Sequence, residues 1–101
     1  MVGKKRKIVW DDVAKEYLKK SIQFIKQDSP QNADKVKGAI RLSIKEIPAN
    51  PERYPMDKYR KSNNGSYRAL ELYGFRISYF VSDNEIRIVR IRHTRQEPLY
   101  Y

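Results

Sequence analysis

The chain has 101 residues and a mass of 12.1 kDa, with 40% apolar and 12% aromatic side chains. That is enough for one domain, residues 1–101, with one modest core, and too rich in apolar groups for a disordered tail. Lysine and arginine total 22 against 12 acidic residues, a net charge of +10, which points to a polyanionic partner: nucleic acid, a strongly acidic protein or an anionic surface. The absence of cysteine excludes a disulfide-stapled scaffold and thiolate chemistry. One histidine, His93, would leave a zinc site to carboxylates, so neither metal nor cofactor is expected. No apolar run approaches the roughly 20 residues of a membrane span. The basic start MVGKKRK leads into Ile8-Val-Trp-Asp-Asp12, without the apolar middle of a signal peptide. A cytoplasmic protein with no membrane partner is expected.

In chain order, Ile8–Trp10 is a short β-prone run, and Asp11 and Asp12 are suited to the N-cap and first turn of a helix. Ala14, Tyr17, Leu18, Ser21, Ile22 and Ile25 fall on one helical face. Ser29 reads as the cap of a second helix with Pro30 at its first position. Ala33, Val36, Ile40, Ile44 and Ile47 then recur at spacings of three and four until Pro48. Residues 48–66 contain Pro48, Pro51, Pro55, Asn63, Asn64 and Gly65 and read as a long loop suited to carrying function. After Gly65 the period is two. Tyr67–Tyr73 reads as a strand, Gly74 as a tight turn and Phe75–Val81 as a second strand. Asp83-Asn84 reads as a hairpin turn and Glu85–Arg92 as a third, central strand. His93–Tyr101 is left as a tail. The expected fold is α+β, in the order β-α-α-β-β-β, with a helical hairpin on one face of a mainly antiparallel sheet.

The two halves use different cations. Residues 1–51 carry ten Lys and two Arg; residues 52–101 carry eight Arg and two Lys. Lysines around amphipathic helices read as a solvated face. Arg68, Arg76, Arg87, Arg90, Arg92 and Arg95 lie on or beside neighbouring strands, so several must share a face. Glu71, Glu85 and Glu97 are available as cross-strand partners, and the remaining excess of arginine reads as an anion site, since the planar guanidinium binds phosphate bidentately. Tyr67, Tyr73 and Tyr79 read as strand residues packing with the helices. Tyr100 and Tyr101, beyond the last strand, are candidates for stacking on bases. The scattered glycines offer no phosphate-binding turn, and no serine sits on a Gly-flanked elbow.

Gly65-Ser-Tyr-Arg68, Gly74-Phe-Arg-Ile-Ser-Tyr-Phe80 and Glu85-Ile-Arg-Ile-Val-Arg-Ile-Arg-His-Thr-Arg-Gln-Glu-Pro98 resemble the RelE/ParE superfamily of toxins from bacterial type II toxin–antitoxin modules. The helical hairpin and Asn50-Pro51-x-Arg53 extend the resemblance over nearly the whole chain. It implies a growth-arresting toxin neutralised by a cognate antitoxin that wraps it. RelE-like members cut mRNA in the ribosomal A site. ParE-like members inhibit DNA gyrase and cut nothing.

Ribosome-dependent mRNA cleavage is the leading expectation, with gyrase inhibition as the alternative. A non-toxic basic domain that binds only nucleic acid or antitoxin is the third. Cleavage by attack of the 2′-OH on the adjacent phosphate needs charge stabilisation on the phosphate and proton transfer. By motif position Arg76, Arg95 and Arg68 would stabilise the phosphate, with Arg92 beside them, and Tyr101 or Tyr100 would stack on the base. His93 would serve as acid or base. The resemblance departs at Leu70 or Glu71, where RelE-like enzymes carry a second middle-strand Lys; an acid there would repel phosphate.

Overall fold

The computed structural model describes residues 6–96 and 100–101; the expected partner Glu97 and the tail residue Pro98 lie outside them. A single residue, Ser29, separates helix α1 (Asp12–Asp28) from helix α2 (Pro30–Glu46). Its hydroxyl accepts from the Asn32 amide at 3.1 Å while Pro30 opens α2, so cap and proline act together as expected. Asp11 sits at the N-cap of α1, but its side chain caps nothing. Its carboxylate instead accepts from Arg87 at 2.9 Å, tying the start of the hairpin to the sheet. Pro48 converts the end of α2 into a 3-10 turn, Ile47–Ala49.

The sheet has the order β1-β4-β3-β2. Strand β1 (Lys7–Trp10) runs parallel to β4 (Glu85–His93), while β2 (Tyr67–Leu72), β3 (Phe75–Val81) and β4 are mutually antiparallel. The expected element order is the observed one, and Glu85–Arg92 is indeed internal; the strand extends one residue further, to His93. The hairpin covers one face of the sheet. Ala14, Leu18, Val36, Ile40, Ile44 and Ile47 pack there against Leu70, Phe75, Ile77, Tyr79, Ile86, Ile88 and Ile91.

One irregularity decides which residues share a face. Between Ser78 and Tyr79 the register with β4 slips, because Ser78 faces Arg90 but Tyr79 faces Ile88. Val89 is the extra residue of a β-bulge. The slip keeps Ile86, Ile88, Ile91 and His93 on the helical face and sets Arg87, Arg90 and Arg92 on the other. Arg76, opposite Arg92, joins them there. Four of the six clustered arginines therefore share the face away from the helices. Arg68 does not, because it alternates with Tyr67 and Ala69 onto the opposite side.

The β2–β3 connection is a two-residue turn in which both Tyr73 (φ +51) and Gly74 (φ +79) are left-handed, the geometry whose twist matches a right-twisted hairpin. Tyr73 was expected to pack with the helices as a strand residue. It lies in the turn and is 48% exposed.

Replacing Ser29 by Ala removes the α2 cap; denaturant unfolding is expected to show a loss of about 1 kcal/mol, with the native fold retained.

Candidate functional site

The loop between Asn50 and Ser66 folds along the outer edge of β2 and then over the open face of the sheet. Asp57 donates its amide to the Tyr67 carbonyl at 2.8 Å and Ala69 donates to the Pro55 carbonyl at 3.1 Å, with Met56 bridged to Arg68. The segment thus covers an edge that would otherwise present unpaired backbone groups. Asn63 braces it from within: its amide nitrogen donates to the Tyr67 and Asp57 carbonyls, and its oxygen accepts from the amides of Gly65 and Tyr67. Two further anchors hold the start of the loop. The Tyr79 hydroxyl donates to the Pro51 carbonyl at 2.8 Å, and the Arg68 guanidinium donates to the Tyr54 carbonyl, also at 2.8 Å.

At the centre of the open face lies Asp57, 1% exposed. Its Oδ1 accepts from Arg76 at 3.0 Å and from the Tyr59 amide at 3.1 Å, and its Oδ2 accepts from the Tyr101 hydroxyl. Arg76 is itself buried and reaches a second carboxylate, Glu71, at 2.7 Å. Burial pushes the Asp57 carboxyl up, but hydrogen bonds from Tyr101, Arg76, the Tyr59 amide and Ser78 outweigh it and hold the group below the usual carboxylate value. Burial, reinforced by the adjacent Asp57 carboxylate, pushes the Tyr101 phenol up to about 12, so it is a fixed proton donor at neutral pH.

Aromatic rings and cations interleave around this carboxylate. Arg76 lies 4.8 Å from the Tyr59 ring centroid, Arg90 4.3 Å from Tyr101, and Arg60 4.0 Å from Tyr67 and 5.1 Å from Tyr101. Tyr100, well exposed, meets Tyr59 edge-on at 5.5 Å. Tyr101 is also held through its backbone, by Tyr59 and Lys61. Arg76 and Arg92 face each other across β3 and β4, an unfavourable like-charge pair that Asp57 and Glu71 offset.

Of the residues expected to form one site, Arg76, Arg92, Tyr100 and Tyr101 lie on this face. His93 does not: it lies on the helical side, edge-on to Phe75 at 5.8 Å, with its amide donating to the Tyr17 hydroxyl at 3.0 Å and its Nδ1 accepting from the Arg95 amide at 3.2 Å. Arg95 is exposed in the 3-10 turn after β4. Arg68 serves the loop edge. Period-two alternation already places adjacent Arg92 and His93 on opposite faces. Asp57, the group that organises the face, gave no such signal, being one of two acids, with Glu52, in an aperiodic loop.

A second feature lies between the helices and β1. Ile8, Trp10, Leu18, Ile22, Ala33 and Ile44 line a groove rimmed by Lys15, Lys19, Lys26, Lys37, Arg41 and Lys45, with Asp34 as its acid. Among the described residues no cluster of three or more His, Asp or Glu is placed to hold a metal ion, and no helix is long and apolar enough to cross a membrane.

The family model for the ParE toxin of type II toxin–antitoxin systems, parDE, matches residues 8–98. The chain belongs to the ParE toxin family. It is therefore the toxin of a type II pair, and membership implies a cognate antitoxin. Among solved structures, the ParE-family fold described here is similar to a chain of a chromosomal ParDE system from P. aeruginosa, with TM-score 0.66 and 22% identity over 88% of this chain and 96% of that one. It is also similar to the YoeB dimer from Staphylococcus aureus, with TM-score 0.52 and 22% identity over 88% and 97% of the two chains. Both likenesses are of fold. No curated protein matches the sequence.

Asp57→Ala leaves Arg76 buried with the exposed Glu71 carboxylate as its remaining counter-charge, and a loss of about 3–5 kcal/mol is expected in denaturant unfolding. Because folding lowers the Asp57 pKa, the stability it contributes is present above about pH 4 and lost as pH falls through the folded value. Acid titration of Asp57→Asn should lack that component; an unchanged acid limb would contradict the assignment.

Proposed function

We propose that this ParE-family toxin arrests growth by binding and blocking a protein, DNA gyrase being the target its family implies, and that it does not cut RNA. The observation that carries this reading is the state of Arg76. A guanidinium that is to stabilise a phosphate must be able to reach it, and Arg76 is buried with both Asp57 and Glu71 on its donors. An anionic substrate would have to displace two carboxylates and would meet their charge. Tyr101 has its hydroxyl on Asp57 and its ring beside Arg90 and Arg60, so it serves the same structural cluster. His93, the expected acid or base, is on the far side of the sheet from Arg76 and Arg92.

The antitoxin expected of such a toxin finds a suitable surface in the lysine-rimmed groove. Its apolar floor and six cations suit an acidic amphipathic segment, with the outer edge of β1 beside it available for backbone pairing. That surface is distinct from the arginine face and holds five of the ten lysines of residues 1–51.

The purified toxin, added to gyrase and relaxed plasmid, is expected to inhibit supercoiling in a dose-dependent manner, and Arg95→Ala, which would disable a nuclease, is expected to leave that inhibition intact. Normal supercoiling at concentrations that arrest growth would overturn the choice of target.

A further inference from the structure

We propose that the toxin meets the protein it poisons through an exposed aromatic patch formed by Phe24 of α1 and Tyr73 of the β2–β3 turn, and that the matching surface is an apolar socket edged with carboxylates. This rests on the reading that the toxin acts by binding a protein.

Tyr73 occupies the first central position of its turn at φ +51, where Asn, Asp or Gly is favoured and a bulky residue is disfavoured. Among the described residues, Tyr73 is not one of those packed against the buried cluster. The residue is 48% exposed, and its ring lies 5.7 Å from the Lys35 ammonium. An unfavourable backbone conformation kept at a solvent-facing aromatic points to a use outside the fold.

Phe24 is 75% exposed and lines the same shallow cleft as Tyr73, together with Tyr17, Ile25, Phe75 and His93. Val13, 81% exposed, extends the line, since positions 13, 17 and 24 fall along one side of a helix. α1 therefore carries a second apolar stripe beside the one it commits to the core through Ala14 and Leu18. None of the α1 residues lining this cleft also lines the lysine-rimmed groove, so the two surfaces can hold different partners.

Lys20 lines the cleft and Lys35 stands beside Tyr73, so carboxylates are the complement. A second copy of this chain would bring +10 more charge to a cationic rim. Exposed aromatic anchors ringed by charge are the composition of an interface centre.

The test compares Phe24→Ala and Tyr73→Gly with the parent in three assays: growth arrest on induction, thermal unfolding, and capture of the protein encoded by the adjacent reading frame. Glycine relieves the turn, so Tyr73→Gly is expected to melt at or above the parent temperature while its growth arrest weakens about tenfold or more and capture is unchanged. Full toxicity in both variants would overturn the proposal. So would a parallel loss of capture, which assigns the patch to the antitoxin, or a parent that arrests no growth. Patch-dependent growth arrest without inhibition of supercoiling would support the patch and reject gyrase as the target, so the two readings fail separately.

Discussion

The Asp57 carboxylate has no exposed side-chain surface, and four parts of the chain converge on it. Arg76 comes from β3, Tyr101 from the last residue, the Tyr59 amide from the loop, and the Asp57 amide itself is fixed by Tyr67 of β2. A buried charge is tolerated only when it is paired and its remaining acceptor sites are filled, and each group that fills one is thereby fixed in place. The loop over the open face, the docking of the terminal residue and the orientation of Arg76 are consequences of that single requirement.

The same requirement governs the electrostatics of the sheet. Pairing Arg76 with Arg92 across β3 and β4 would be unfavourable alone. Asp57 and Glu71 make it tolerable, and Glu85 and Asp11 neutralise Arg87 further along β4. A face that by sequence presents four arginines is thus partly neutralised from within, with Tyr59, Tyr67 and Tyr101 laid against the cations. The lysine-rimmed groove has one acid, Asp34, among its lining residues. Net charge therefore overstates the arginine face as a phosphate site and describes the helical groove better.

Much of the fold was legible because it rests on local chemistry. Ser29-Pro30 is a helix start by hydrogen bonding and ring geometry, and the stripe from Ala33 to Ile47 can bury itself only as a helix against something flat. The apolar content of Glu85–Arg92 marked a central strand, while the bulge at Val89 came only with the register against β3. The site was less legible. Asp57 meets Arg76 and Tyr101 across 19 and 44 residues of chain, and no periodicity announces such contacts. Tyr73 continued the alternation of β2 on paper, while the structure places it in the turn beside Gly74. Grouping His93 with Arg92 went against strand alternation, which separates them; the short motif that carried both obscured it.

Two carboxylates bound to one arginine, and a histidine on the opposite face, support the proposed reading in which the cations of the open face hold a scaffold while other surfaces meet the partners. In the proposed reading Arg76 and Tyr101 are structural and no RNA is cut. Primer extension on a defined mRNA in a reconstituted translation reaction, with and without the purified toxin and beside a ribosome-free control, tests it most directly. Intact mRNA at every dose that arrests growth is the predicted result. Ribosome-dependent cuts would contradict it, and cuts that Arg92→Ala abolishes would return the arginine face to the chemistry of phosphate.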